Sequence, residues 1–418
     1  MIKQLSITSL LLCVPAFLCA PLMALMPRGM MALVIYSALV LLPSFKKHWP
    51  EIIKNIHKQS FILLACAVGY SFLSAAWSPN DSAFHTGFDI VYLTICCAII
   101  FLTLPFIKTP ALNLLVNLFM VGWVVGLTLL CLECFYDHPI HRWYEHIDAA
   151  TLVNESVLKR TAALFALSIW PVALWLKTKG KPILSALCVI GFLGLSFFLT
   201  NRSSLLGMIV GTSVLFFAMY QAVLARWALV LMIGLGCFFI VPISTLLPLI
   251  PQEITGQLFD SALARIKIWT ATSQHILEEP VLGHGIDASK GLETETGDGP
   301  DKNQGFFQPG ISVVSHHPHN IFLQIWLDFG MIGALLWGGL LLIMTYRVYN
   351  AHEVAQPYII AAAFCSLMML STTFSLLQAW WLSGHIVTAV MLALLSYSLS
   401  RNAATSGTSA GGISNSDS

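Results

Sequence analysis

The chain has 418 residues, of which 57% are hydrophobic and only 10% are charged. A typical soluble domain is about one quarter charged, so this composition excludes an ordinary soluble enzyme. The formal net charge of +1 gives no indication of nucleic-acid binding. Apolar runs of about 20 residues, the length that an α-helix needs to cross a bilayer, recur along the chain. They predict an all-α polytopic membrane protein and argue against a closed barrel, whose strands would be shorter and alternating.

Twelve segments are apolar enough to be predicted as membrane-spanning helices. They run over residues 6–26, 29–44, 61–77, 88–106, 111–133, 161–176, 182–200, 203–223, 226–246, 319–346, 357–378 and 379–400. The first is predicted to be an uncleaved helix; a signal peptide is the alternative, but no clear small-x-small cleavage site follows it. Residues 1–401 are predicted to form one membrane-embedded domain, and residues 402–418 a disordered tail.

Lysines and arginines of the short loops predict the orientation, because such loops favour the cytoplasm. With the N terminus inside, twelve of the 21 basic residues fall on the cytoplasmic face, including four lysines in 44–60 and three in 177–181. Both termini are then cytoplasmic. The largest hydrophilic segment, residues 247–318, becomes a loop on the outer face.

The long loop begins with a predicted amphipathic helix, 252–278. Its apolar face is formed by Leu258, Leu263, Ile266, Trp269 and Ile276. Arg265 projects elsewhere, and Pro280 ends the helix because the residue before a proline avoids helical geometry. Residues 288–312 are rich in glycine and acidic residues, and they are predicted to form a mobile loop or lid.

Three histidines, His316, His317 and His319, stand directly before the tenth predicted span. A histidine titrates near neutral pH, so His319 is a candidate general base. The simpler interpretation is an interfacial side chain that bonds to a loop carbonyl. A metal site formed by the three is a weaker alternative, because their spacing is irregular and no second cluster of ligands matches it.

Arginines on the outer face are candidate anion ligands, because a guanidinium binds phosphate through paired hydrogen bonds. Arg202 lies in T-N-R-S-S between the seventh and eighth spans, and Arg265 lies on the loop helix. A snorkelling side chain and a solvated helix face are the respective alternatives. Arg160, which opens the sixth span, is a weaker candidate.

Other polar groups are less informative. The segment 137–146, D-H-P-I-H-R-W-Y-E-H, is interpreted mainly as an interfacial loop, with contact to an acceptor molecule as the alternative. Within the spans, Asp328 and His385 could pair across helices. The chain lacks the series of intramembrane carboxylates that proton-coupled transport often uses.

Three segments together resemble the bacterial O-antigen ligase and polymerase superfamily. His319-Asn320, nine residues, and then Gly330 to Ala334 are similar to its H-[NSQ]-x9-G-x-x-x-[GTA] signature. "TNRSSLLGMIVG" (200–211) resembles the family's arginine-bearing helix start. "ARIKIWTATSQHILEEPVLGHGI" (264–286) is similar to its R-x-x-x-W…P-x-x-G-x-G segment. The resemblance covers roughly residues 155–350.

This resemblance implies a GT-C-like membrane glycosyltransferase with one large periplasmic loop, in the bacterial inner membrane. The donor would be a glycan on undecaprenyl diphosphate, and a ligase's acceptor would be a hydroxyl of lipid A–core. The family is regarded as inverting and metal-independent, with no cofactor. Carried over, His319 would be the base, with His316 and His317 as neighbours whose role stays open, and Arg202 and Arg265 would hold the diphosphate. Asn320, Gly330 and Ala334 complete the motif.

Three alternatives to a ligase stay open. A polymerase would use the same donor and a second lipid-linked repeat as acceptor. A transporter of lipid-linked oligosaccharide would show internal repeats, charges inside the bundle and short loops, which this sequence lacks. A non-catalytic scaffold would tolerate the loss of His319 and Arg202.

Overall fold

The computed structural model describes residues 6–145, 156–199, 201–251, 253, 257, 260–292 and 317–410. Helices and connecting turns account for these residues, and no strand occurs among them, so the all-α prediction is confirmed. The α-helices are α1 (Ile7–Leu11), α2 (Cys13–Leu25), α3 (Met30–Asn55), α4 (Lys58–Leu73), α5 (Ala83–Thr103), α6 (Thr109–Phe135), α7 (Pro139–Glu145), α8 (Ser156–Thr178), α9 (Pro182–Ser196), α10 (Arg202–Leu246), α11 (Asp260–Glu278), α12 (Ile321–Arg347), α13 (Gln356–Leu370) and α14 (Ala379–Ala410).

Nine helical segments of the described chain are long and apolar enough to cross a membrane. Two further apolar helices, α9 and α13, are shorter and correspond to the seventh and eleventh predicted spans. The eleventh prediction, 357–378, is wrong over its last eight residues, because α13 ends at Leu370. The physical reason lies in the run Ser371-Thr372-Thr373, whose hydroxyls and β-branched side chains disfavour a continued helix.

The 45-residue helix α10 turns back on itself. A straight helix of that length would be about 68 Å long, more than twice the bilayer core. Gln221 has non-helical φ/ψ angles and divides the helix into the eighth and ninth predicted spans. Ser203 in the first half bonds to the loop after α13. In the second half, Arg226 lies over a tyrosine just past the end of α12, whereas Cys237 contacts the first half of α12. The two halves are therefore antiparallel.

Helix α12 is broken at Gly330, whose φ of 59° and ψ of −155° lie in a region that essentially only glycine adopts. The segment 280–285 docks against this break. The N–H of His284 donates to the carbonyl of Leu327 at 2.8 Å, and the N–H of Met331 donates to the carbonyl of Pro280 at 2.9 Å. A side chain at Gly330 would meet the Val281 carbonyl oxygen at 2.4 Å. The motif glycine therefore permits the loop to reach the helix backbone.

Some predicted features extend beyond the described residues. His316 and most of the predicted mobile loop 288–312 lie outside them, although residues 288–290 form a short 3₁₀ turn. Helix α14 continues through residues 402–410 of the predicted tail, where Ala403 and Ala404 favour a helix. The remaining residues, 411–418, are also outside the described part.

We expect Gly330→Ala to lower the stability of the protein by about 1–3 kcal/mol, because alanine would be strained at this φ and would clash with the docked segment. Gly339→Ala, on the same helix, is the matched control, since its added carbon meets only Leu63 at 3.6 Å. Thermal unfolding of both variants in detergent tests this. Equal unfolding temperatures for the two would contradict the interpretation of the break.

Candidate functional site

The centre of the candidate site is a pair of consecutive backbone carbonyls, Thr372 and Thr373, exposed by the end of α13. The Thr372 oxygen accepts from the Ser203 hydroxyl at 3.2 Å and from two nitrogens of Arg265, at 2.7 and 3.2 Å. The Thr373 oxygen accepts from His317 Nε2 at 2.7 Å and from His319 Nδ1 at 2.6 Å. Donors from three distant parts of the chain therefore meet at two atoms. We call this end of the bundle the histidine end.

The hydrogen bond to Thr373 determines the tautomer of His319. A carbonyl oxygen can only accept, so Nδ1 carries the proton and Nε2 of the neutral ring carries a lone pair. Burial lowers the pKa of His319, and the charge of Arg265 lowers it further, whereas the Thr373 carbonyl raises it without reversing the net shift. The ring is therefore neutral at pH 7, which is the form that can accept a proton.

His317 lies against His319, with the two ring centroids 4.1 Å apart. Its own bond to the Thr373 oxygen requires a proton on Nε2. The two imidazoles thus share one acceptor, and neither ring can turn without losing a hydrogen bond. We interpret His317 as a group that restricts the orientation of His319.

Helix α11 reaches the site through two residues one turn apart, Arg265 and Trp269, which are the R-x-x-x-W pair. Trp269 Nε1 donates to the carbonyl of Pro318 at 3.0 Å, directly before His319. Arg265 binds the Thr372 carbonyl and also donates from Nη1 to the Ser261 carbonyl at 2.9 Å. It makes no ion pair with a carboxylate of the described residues, so its charge is not neutralised there. The solvated-face alternative for Arg265 is wrong.

The start of α10 carries Arg202 and is tied to its neighbours on both sides. The Asn201 side chain accepts from the N–H groups of Ser203 and Ser204 at 3.1 and 3.2 Å, which caps the helix. Its amide nitrogen donates to the carbonyl of Lys159 at 2.7 Å. Arg202 is exposed at the first position of α10, next to the serine that contacts Thr372. The structure therefore places Arg202 at the histidine end.

Asn320 is the N-cap of α12. Its side-chain oxygen accepts from the N–H groups of Phe322 and Leu323 at 3.0 and 3.3 Å. The residue before it, His319, has a φ of 54°, a left-handed conformation that a side chain rarely adopts. The polar motif position after the histidine thus fixes the helix start, and the strained backbone turns the imidazole towards Thr373.

Arg160 is not part of the carbonyl-centred cluster. It lies near the start of α8, one residue after the carbonyl that Asn201 binds, and the nearby charge that acts on it is that of Arg28. Ala334 is buried at 3% exposure, which explains why a small residue follows Gly330 by one turn.

The suggested pairing of Asp328 with His385 is wrong. The Asp328 carboxyl oxygen Oδ1 accepts from the N–H of Ala288 at 3.1 Å, and it holds the loop segment onto α12. His385 instead lies 2.7 Å from the Ser366 hydroxyl oxygen and bonds to the carbonyl of Trp381. Tertiary docking of the long loop, which places Ala288 beside Asp328, separates the two.

The acceptors Thr372 and Thr373 are not predicted from the sequence. Their contribution is a backbone carbonyl, which every residue has, so no residue type marks it. The available signal was the S-T-T run at the end of an apolar segment, which favours a helix end.

Most residues of the candidate site lie in a part of the chain that matches a known protein family. Residues 186–338 match the O-antigen ligase family. The match contains Arg202, Arg265, His319, Gly330 and Ala334, and it confirms the resemblance given by the three motifs. The matched residues end at 338, before the Thr372 and Thr373 carbonyls, although these carbonyls complete the candidate site in space.

Curated relatives are rickettsial proteins named as candidate polysaccharide ligases. One from Rickettsia conorii is 27% identical over 248 residues, covering 57% of this chain and 58% of that protein. One from Rickettsia felis is 25% identical over 285 residues, covering 65% of this chain and 66% of that protein. One from Rickettsia bellii is 26% identical over 304 residues, covering 70% and 69%. The match thus spans less than two thirds of the first relatives' length. No solved structure matches the chain, so the GT-C-like architecture stays a prediction.

We expect Asn320→Ala to destabilise the start of α12 by about 1 kcal/mol, because two N–H groups lose their cap. Asn320→Ser retains a capping oxygen and is the matched control. Thermal unfolding in detergent should rank wild type and the serine variant above the alanine variant. An alanine variant as stable as the serine variant would show that the cap has no role.

Proposed function

We propose that the chain is a glycosyltransferase of the O-antigen ligase type. It transfers a glycan from undecaprenyl diphosphate to a hydroxyl of lipid A–core. The observation that supports this most directly is that a neutral histidine and an arginine without an ion pair among the described carboxylates are held on adjacent carbonyls, Thr373 and Thr372. A base and a fixed cation side by side suit a reaction that removes a proton and releases an anion.

His319 acts as the general base in this proposal. Its Nε2 lone pair accepts the proton of the acceptor hydroxyl while the hydroxyl oxygen bonds to the anomeric carbon of the donor sugar. The bond from that carbon to the diphosphate oxygen breaks, and undecaprenyl diphosphate leaves. A single displacement of this kind inverts the anomeric configuration. General-base assistance is worth about 10²–10⁴ in rate.

Arg265 and Arg202 stabilise the charge that builds on the departing diphosphate. A guanidinium has five N–H donors, and the described contacts of Arg265 engage only part of them. The first turns of α10 and α12 lie at the same end, and helix N termini also favour anions. Fixed cations can provide the stabilisation that a divalent ion provides in other transferases, so the proposed reaction is metal-independent and needs no cofactor.

The proposed substrates, both lipid-linked, imply a location for the protein in the membrane. We place the chain in the bacterial inner membrane with both termini cytoplasmic and the histidine end facing the periplasm. The nine membrane-length helices support a multi-pass protein, and the lysine-rich short loops support this orientation. Membrane lipids then surround the bundle, and the donor approaches from the outer leaflet.

We expect His319→Ala and Arg202→Ala to abolish glycan attachment in a ligase-deficient bacterium that carries the cognate glycan pathway. Each change should lower the rate by about 100-fold or more. The measurement is the lipopolysaccharide ladder at matched membrane expression. Arg226→Ala is the control arginine, because it lies over Tyr349 at the opposite end of α12.

Two outcomes would contradict parts of this proposal. Normal ligation by both variants would show that the site is wrong. Restored chain length in a polymerase-deficient strain, without ligation, would identify a polymerase that uses the same donor.

The transfer rate of the purified protein should fall at low pH, because the base works in its neutral form. Since the pKa of His319 is lowered, the midpoint of this fall should lie below the ordinary value of 6.5. Arg265→Gln removes a neighbouring positive charge, so it should raise the pKa of His319 and move the midpoint to higher pH. The pH dependence of kcat/KM measures this. An unmoved midpoint in the Arg265→Gln variant would refute the coupling.

A further inference from the structure

Three potential metal ligands meet at the other end of α11, away from Arg265. They are His275 and Glu278 in the last turn of the helix and His284 in the docked segment 280–285. One ligand atom from each lies within 4.8 Å of those of the other two. Glu278 is 59% exposed, whereas the two histidine side chains are 21% and 13% exposed, so the cluster is open to water on its carboxylate side.

The separations suit a tetrahedral metal ion. His275 Nδ1 lies 3.0 Å from Glu278 Oε2, and His284 Nε2 lies 4.0 Å from the same oxygen. Zinc binds histidine nitrogen and carboxylate oxygen at about 2.0–2.2 Å, which separates neighbouring tetrahedral ligands by roughly 3.4 Å. Two of the three separations bracket this value, and the third, between the two histidine nitrogens, is at most 4.8 Å. Small side-chain rotations that draw the two rings together would complete three corners.

The local fold brings the three together from different structural units. His275 and Glu278 are three residues apart on a helix and therefore share a face. The turn between α11 and His284 is closed by a hydrogen bond from the Gly283 N–H to the Glu279 carbonyl at 3.0 Å. The His284 backbone is itself held on the Leu327 carbonyl. The third ligand is thus positioned by the break in α12.

Protonation is compatible with binding. His284 Nε2 donates to the carbonyl of His275 at 2.8 Å, and His275 Nδ1 donates to Glu278. A neutral imidazole can carry its proton on either nitrogen, so each ring can present the facing nitrogen to a metal ion. The ion would replace these two hydrogen bonds, at 2.8 and 3.0 Å, by three ligand bonds. Two neutral imidazoles and one carboxylate leave a net charge of +1 and an open fourth position for water.

We propose that His275, Glu278 and His284 form a zinc-binding site that ties the end of α11 to the segment docked on α12. The ion has no role in the transfer step, because Trp269 and Arg265, which reach the histidine end, lie about two to four turns earlier on the helix than the proposed ligands. Its effect is to fix the direction of α11. The proposal concerns binding and does not depend on the glycosyl-transfer proposal.

The test is zinc titration of the full-length protein, purified in detergent with reductant and stripped of metal by a chelator. Calorimetry with zinc chloride alone should show saturable binding of one ion per chain. His275→Asn and His284→Asn should each weaken binding by about 100-fold or more, since even the loss of an outer-shell contact costs about 10–100-fold. Glu278→Gln should weaken it as well. Cobalt substitution should give the absorption bands of a tetrahedral site in wild type only.

His48→Asn is the matched control, because His48 and Glu51 form the same three-residue pair at 3.5 Å without a third ligand. It should bind zinc like wild type. Thermal unfolding without metal shows whether each variant is folded, and zinc should raise the unfolding temperature of wild type but not of folded His284→Asn. Equal zinc affinity in wild type and His284→Asn would overturn the proposal. Loss of binding in His317→Asn alone would assign the ion to the other histidines and also overturn it.

Discussion

The site depends on the exposure of two carbonyls where α13 ends. Within a helix, the oxygens of Thr372 and Thr373 would accept from N–H groups four residues later. Because α13 stops at Leu370, both oxygens are available to other donors. A bilayer-embedded bundle cannot leave such groups unsatisfied without a large free-energy cost. Arg265, Ser203 and the two histidines satisfy them, so the cost of ending the helix is offset by the contacts that assemble the site.

Breaks in helical geometry position most functional groups of this protein. The turn at Gln221 returns the second half of α10 to the histidine end, and the glycine break at Gly330 accepts the docked segment 280–285. The break at Gly330 exposes backbone groups, and the docked segment supplies hydrogen-bond partners for them. Irregular backbone at membrane depth is tolerated where protein buries it, and such places commonly carry function. The motif residues Asn320 and Gly330 belong to this scaffold rather than to the reacting groups.

Helix α11 connects the histidine end with the segment 280–285 that docks on α12. One end supplies Arg265 and Trp269 to the carbonyls of Thr372 and Pro318, and the other end leads into the segment held on α12. The described part of the long loop, residues 260–292, is therefore packed into the bundle. It contributes a cation and supports the backbone before His319. A change at the far end of α11 can reach the site through the direction of this one helix, because the helix is continuous over its 19 residues.

The sequence by itself determined the fold class and the existence of nearly every helix, and it supplied His319, Arg202 and Arg265 as candidate site residues. Hydrophobic length determines membrane helices because the bilayer imposes one thickness on all of them. Motif spacing singled out these candidates because histidine and arginine carry reactive or charged groups that few other residues can supply. Only the tertiary structure decided which groups these residues contact. The contacts of the Thr372 and Thr373 carbonyls and the separate partners of Asp328 and His385 depend on backbone atoms and helix packing, which leave no residue-specific pattern in a sequence.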